Sequence, residues 1–511
     1  SAGGAISINA VRGSGTATSL TVNADSGTTD TETISIGLIG SGNEIGAVTL
    51  DGADGVTLKG NITLANAAGA DLDIDGKAYI SGDVTITTDN AAHDGIIDFS
   101  TTIDGVTEGT PIDDNLVILA GDSAGTQGGS LILGGAIGNA VHLDSLKINA
   151  TDGDLGFNVP QIGGASAGVS GATQIGNSLT TNDIVFTAQT YNFGGTVTVT
   201  GDGGADAFQF TGTDPITFTS AGDVNFTGTG NDLIKLADLK DLTITTAAAG
   251  ANITLPGVKG TTGDGNDGTD LTVTAGATGG DVIIGAVDDD INDLIITGAN
   301  IRLDGSITTA AHDPGTGADA ASIDLNGAVV VNAAVTLTSG NGAIDFSSTI
   351  NSTANQAYAL TTVAGTGTTT FNGVIGGVNN GALGALTVNA GGDTSTGTIT
   401  FATTDATVTG NVGTASAAGA ASLAIGNAAT HTLTLNGEDY NTSGQQTFTA
   451  DRFVIGGALP DFNTTDNNIS FAHGTEADIV LGTDTSLNLD TGSGNGNIDI
   501  EPQILGQAGS N

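Results

Sequence analysis

Apolar residues alternate with polar ones in short runs from end to end of this chain, as in VTLKGNITL (56 to 64) and TVTVTG (196 to 201). Val, Ile, Leu, Thr or Phe fill the runs, and Gly, Asn or Asp closes them. A period of two with no sustained period of 3.6 predicts short strands joined by turns. The Ala-rich stretch TASAAGAASLAIG (414 to 426) has some helical propensity, although its Gly and Ser make an irregular loop or a further strand equally expected.

The runs repeat. VTLTSGNGAIDFSSTI (335 to 350) sets Val335 and Leu337 two apart, then a Gly/Asn turn, then Ile344 and Phe346 two apart. Similar stretches start at Val84, Ile216 and Leu487. A second pattern aligns on a Gly-x-x-Gly turn at Gly37, Gly135, Gly257 and Gly373, followed by an apolar pair such as Leu146/Ile148 or Leu386/Val388. Insertions fall in the Gly/Asn/Asp stretches while the apolar pairs stay in place, as expected when each unit is one coil of a solenoid and the variable residues bulge outward.

A single coil cannot bury its apolar pair alone, so stacked copies must supply a shared core, with intervening Thr and Asp facing solvent. The expected fold is all-β, an elongated parallel β-helix built from degenerate strand-turn repeats. The chain reads as one continuous solenoid over 1–511, with approximate super-repeats 1–130, 131–250, 251–365 and 366–511. About 20 to 30 residues per coil and about 4.8 Å between strands give on the order of 20 coils and a rod about 100 Å long. The competing fold is a string of sandwich domains with buried Trp or Tyr corners and Pro-rich linkers. Against it, the chain has no Trp, four Tyr and seven Pro.

Composition sharpens this picture. Gly supplies 83 of 511 residues, and Cys and Met are absent, so the core is small and aliphatic and neither disulfides nor thiol chemistry is available. Acidic residues number 55 against nine basic ones, and six of the acids are Glu (32, 44, 108, 438, 476 and 501). Asp prefers turns, which again argues for a helix-poor chain. The net charge of −46 excludes nucleic-acid binding by a basic surface and invites cations, with adaptation to high salt as the other meaning of such acidity. No apolar run approaches the roughly 20 residues of a membrane helix, so no membrane span is expected. The start at Ser1 without Met or a signal peptide is expected of a processed, exported polypeptide or an excised fragment.

TTTFNGVIGGVNNGALGALTVNAGGDTSTGTITF (368 to 401) and VTLTSGNGAIDFSSTI resemble the degenerate strand repeats of filamentous-haemagglutinin-like and autotransporter-passenger proteins, large bacterial surface adhesins. The resemblance is one of style and composition, covers most of the chain and carries no site motif. The chain departs from it in having no recognisable N-terminal secretion domain and no aromatic-girdled C-terminal barrel. Gly- and Thr-rich, sulfur-free acidic chains are also similar to bacterial surface-layer proteins. Both resemblances imply an extracellular or cell-surface setting.

Candidate chemistry is sparse. GDSAG and GASAG place Ser123 and Ser166 in a G-x-S-x-G pattern, but no helical sequence follows either, as a nucleophile elbow needs. His93 and His312 share an A-A-His-Asp turn and His473 a looser version, positions that suit a turn residue bonding its neighbour better than a metal ligand. Arg12, Arg302 and Arg452 are too scattered to clamp an acidic polysaccharide, which counts against a lyase. Asn-x-Ser/Thr triplets are expected by chance in so Asn- and Thr-rich a chain.

Calcium is the expected cation. GDGGADAFQ and TGTGNDLIK each half-match a calcium-binding nonapeptide coil, with Asp206 and Asp232 as the ligands, and VDDDINDL adds Asp288, Asp289, Asp290 and Asp293. Solvated acidic loops are the plainer account of the same residues. No required cofactor is expected. The functional expectation is a non-enzymatic structural protein of a bacterial cell surface that assembles with copies of itself into a filament or surface layer, with an adhesive role toward glycans or host surfaces. The alternatives are a monomeric adhesin stalk and a polysaccharide-degrading β-helix enzyme. The closing QILGQAGSN has no amphipathic cap, so either the natural chain continues or a neighbouring subunit completes it.

Overall fold

The computed structural model describes residues 5–14, 18–24, 32–41, 44–65, 67, 69–88, 95–106, 114–120, 130–150, 157–176, 183–201, 207–227, 233–237, 240–260, 269–276, 278–288, 291–310, 320–364, 367, 369–373, 375, 383, 386–388, 399–401, 413–414, 417–418, 423–425, 432–435, 439–442, 444–456, 460–472, 478–482 and 485–506. These residues form strands and turns and contain no helix, hence none long and apolar enough to cross a membrane. They fall into two compact units, Ser1–Pro256 and Gly257–Asn511, and each is a parallel β-solenoid.

In the first unit the chain bends three times within each winding, so that three strand faces enclose the core. On the first face Ile6, Ile34, Val56, Ala78, Ile103, Ile137, Ile162, Tyr191, Phe218 and Ile244 stand in one parallel register, ten residues deep and 22 to 34 residues apart in sequence. The second face aligns Ile39, Ile62, Ile86, Ile118, Ile148, Ile175, Val199 and Phe226. The third aligns Val22, Leu50, Ile74, Phe99 and Leu133, and further on Val159, Phe186, Phe210 and Leu236.

β-Branched side chains suit this stacking because their single preferred rotamer lets like pack on like from one winding to the next. Ile62, Ile86 and Ile118 are fully buried, each worth about 1.5–3 kcal/mol of transfer free energy. Toward residue 226 the aliphatic columns give way to rings. Phe186 stacks on Phe210 with centroids 4.6 Å apart, and Phe218 stands among Phe186, Tyr191, Phe193, Phe210 and Phe226 at 5.0–6.3 Å. The Tyr191 hydroxyl is satisfied inside this cluster, donating to the Val159 carbonyl (3.0 Å) and accepting from the Ala188 N–H (2.7 Å). Burial pushes its ionisation well above the usual phenol range.

The second unit repeats the plan. Thr272, Ile295, Asp324, Asp345, Thr370, Thr400, Thr434, Val454, Val480 and Leu505 share one register, again ten deep. Inward pairs flank that row, among them Leu294/Ile296, Ile323/Leu325 and Ile344/Phe346, all fully buried. Another face aligns Ile307, Leu337, Thr362, Val388, Ile425, Phe448, Phe471 and Ile500. One winding here departs from aliphatic packing. Ser352, Thr362 and Thr369 all point inward, and neither Thr hydroxyl finds a hydrogen-bond partner. Around 414–426, Gly413–Thr414 pairs antiparallel with Ala417–Ala418, and Leu423–Ile425 joins the same face as Leu337, so the described residues here are strand.

The four similar stretches do not occupy equivalent places. In the first unit Ile86 and Phe99 lie on the second and third faces, whereas Phe218 and Phe226 lie on the first and second. Every bend between faces needs an apolar pair, a turn and another apolar pair, so the pattern marks a bend and not a particular one. At the Gly-x-x-Gly turn of Gly373, a Cβ would meet the backbone of Ser348, one winding earlier, and Gly allows the two windings to close.

Candidate functional site

Since the inward positions are spent on packing, any chemistry belongs to the outward rows and the turns. The turns show what the Asp excess is for. The Asp71 carboxylate accepts the Ile96 N–H (2.8 Å), Asp104 that of Ala140 (2.9 Å), Asp183 that of Ala207 (2.7 Å) and Asp223 that of Asn252 (2.7 Å). Asp114 takes two, from Gly82 and Val106. In the second unit Asp270 accepts from the Asp293 N–H and Asp293 from the N–H and hydroxyl of Ser322. Most of these bonds join residues 23 to 36 apart, one winding to the next. A carboxylate at the mouth of a strand thus captures an N–H that the neighbouring winding leaves open, a charge-assisted bond worth about 1.5–3 kcal/mol.

Other aspartates stand side by side on the strands. In the first unit Asp73 is in register with Asp98, and Asp51 with Asp75, on the outer surface of the third face. Partial burial first, and then the charges of Asp75, Asp98 and Asp51, hold the Asp73 carboxyl above the usual range. Asp98 is raised by burial and by Asp75. In the second unit Asp324 is raised by burial, then by its register neighbour Asp345 and by Asp293.

A folded-state pKa above the unfolded value means that protonation favours the fold. The repulsion is fully present at pH 7 and is relieved as pH falls through the raised value toward the ordinary carboxylate range near 4. Asp73→Asn is therefore expected to stabilise the protein at pH 7 by about 0.2–1 kcal/mol, the size of a cross-strand charge pair, with the gain shrinking toward pH 4 and in high salt. Urea unfolding at the two pH values measures it; an equal gain at both would remove the electrostatic explanation.

Among the expected calcium ligands, Asp206, Asp232, Asp289 and Asp290 lie outside the described residues. Asp288 and Asp293 are described and take different partners. Asp288 pairs with Lys259 at 2.8 Å, both about half exposed, while Asp293 is engaged by Ser322. Among the described residues no group of three or more His, Asp or Glu is arranged to hold a metal ion.

Ser166 sits on an exposed turn, with its carbonyl accepting the Gly164 N–H (3.0 Å), and the next element is the strand Thr173–Ile175, not a helix. Ser123, His93, His312 and His473 lie outside the described residues. Arg302 forks onto Asp304 through Nε and Nη2, both at 2.7 Å.

One surface feature went unnoticed in the sequence. The second face of the first unit carries a groove of about 590 Å³ lined by Val117, Ser145, Lys147, Ala172, Gln174 and Thr198, among others. Val117, Lys147, Gln174 and Thr198 are successive members of one outward row. Residues separated by 24 to 30 positions form it, so a local motif search had no means of finding it. No protein-family model, curated protein or solved structure matches this chain. Its fold is compatible with the β-helix repeat proteins of cell surfaces.

Proposed function

We propose that this chain is a non-enzymatic structural protein of a bacterial cell surface, similar in kind to the filamentous-haemagglutinin-like and autotransporter-passenger proteins, which assembles with copies of itself into a filament or layer and presents its outward rows for adhesion. The observation that carries this reading is the unbroken parallel pairing of each winding with the next within each unit. A load along a column is shared by hydrogen bonds on several faces at once, and stiffness is the direct product of such a column.

Self-association draws support from three exposed apolar side chains, Ile498, Ile504 and Leu505. These residues are 46%, 48% and 36% exposed, unlike their buried counterparts Ile469 and Ile479 one winding earlier. Calcium or another divalent cation would screen the outward carboxylates and tighten the assembly without a dedicated site.

Electron microscopy of purified protein, with and without calcium, tests the reading. Fibres or sheets that are lost in an Ile504→Lys/Leu505→Lys variant are expected. Isolated particles at high concentration in both proteins would leave a monomeric stalk in place of an assembling subunit.

A further inference from the structure

The groove on the second face of the first unit lies on strands without acidic residues. The four adjacent strands that carry it, Asn115–Ala120, Ser145–Ala150, Thr173–Ile175 and Val197–Thr200, contain no Asp or Glu, in a chain with 55 acids. Acids stand at the turns that open these strands, Asp114 before Asn115 and Asp144 before Ser145, and Asp83 begins the preceding strand of the row. Lys147 stands within this window and makes no ion pair among the described residues. Among the described carboxylates that flank the groove, Asp144 accepts from the Ser170 hydroxyl (3.1 Å), Asp83 from the Asn115 amide (2.7 Å) and Asp114 from the Gly82 and Val106 N–H groups. Asp83 belongs to a strand two steps from Lys147, about 10 Å away, beyond the roughly 8 Å screening length of physiological salt. The Lys147 ammonium is therefore not held in an ion pair among the described residues and can meet an approaching anion.

The rest of the lining says what kind of anion fits. These strands are paired on both sides, so their main-chain groups are spent in the ladder, and the strand addition by which peptides dock on sheets has no edge here. What the groove offers is side-chain chemistry: the Gln174 amide, whose NH₂ donates to the Gly176 carbonyl (3.3 Å) and leaves its oxygen to accept; the Ser145 hydroxyl, which donates to Asn115 Oδ1 and keeps lone pairs free; and the Thr198 hydroxyl. Val117 and Ala172 add short apolar walls. A ligand rich in hydroxyl donors and carrying a carboxylate satisfies all of these. The volume lies within the range that accepts compact organic ligands, about two to three sugar rings.

We propose that this groove binds an acidic oligosaccharide, with Lys147 pairing a uronate carboxylate and Ser145, Gln174 and Thr198 bonding the ring hydroxyls. The proposal gives a ligand class to the adhesive part of the reading above and does not rest on self-association. Titration calorimetry with a galacturonate trimer, a neutral glucose trimer and an aspartate trimer tests it. Binding of the uronate alone is expected, weakened about tenfold or more by Lys147→Gln, as loss of a charge-assisted bond implies, and largely kept by Lys147→Arg. No uronate binding, an unchanged affinity in Lys147→Gln, or equal binding of the aspartate trimer would overturn it. Lys147→Gln should leave the assemblies seen by microscopy intact. Fibres without uronate binding thus defeat the groove alone, and uronate binding without fibres defeats the assembly alone.

Discussion

Phe218→Ala is expected to cost about 3–5 kcal/mol of stability. Phe218 is fully buried, and its ring lies 5.0–6.3 Å from five others, so no neighbour can collapse into the space without leaving its own partners. Edge-on pairs such as Phe186 with Phe218 add about 0.5–1.5 kcal/mol beyond area burial. Because windings rest on their neighbours, the damage should be local: amide exchange should quicken first in Thr190–Phe193, Ile216–Ser220 and Leu242–Thr246. Thr219→Ala, on the outward side of the same strand, should stay within about 0.5 kcal/mol. A loss near 1 kcal/mol for Phe218→Ala would mean that the six rings do not form one packed cluster.

Gly76→Ala is the second large effect, about 2–6 kcal/mol. Gly76 has φ of +105°, and a Cβ there would run into the Gly52 carbonyl oxygen one winding earlier. Backbone strain of about 1–3 kcal/mol therefore adds to overpacking of about 1–3 kcal/mol. Gly82 supplies the control, since its φ is +81° but nothing lies within 4 Å of an added Cβ. Gly82→Ala should cost about 1–2 kcal/mol, the backbone share alone. Equal losses in the two variants, read from urea melts, would show that the windings do not touch at this corner.

The core was largely legible in the sequence because alternation maps directly onto sidedness. Ile344 and Phe346, two apart in the quoted repeat, are both inward and lie in register with Ile323 and Leu325. The coil length followed from the spacing of the turns. Alternation fails where the residue type is ambivalent. Thr336 faces outward beside inward Leu337, whereas Thr362 and Thr369 occupy inward positions, and nothing local separates the two kinds of Thr. The faces were equally hidden, because a bend is written the same way wherever it occurs.

The candidate site was legible only in part. Asp293 stands in an acidic run that reads as a cation loop, and its bond to Ser322 in the next winding has no local signature. Asp71 and Asp223 look like turn residues, which they are, but their partners lie 25 and 29 residues on. Lys147 is an isolated cation in the sequence. Its neighbours Val117 and Gln174 come beside it only through the stacking register.

That register is the claim on which the rest depends, and a distance between two spin labels measures it. The chain has no Cys, so Thr85→Cys/Asn225→Cys yields two unique attachment points 140 residues apart in sequence. Thr85, Val117, Lys147, Gln174, Thr198 and Asn225 follow one another along a single outward row. Five steps of about 4.8 Å predict a narrow distribution centred near 24 Å. A broad distribution, or a mean well beyond about 30 Å as for labels on two neighbouring globular modules, would contradict the stacked columns.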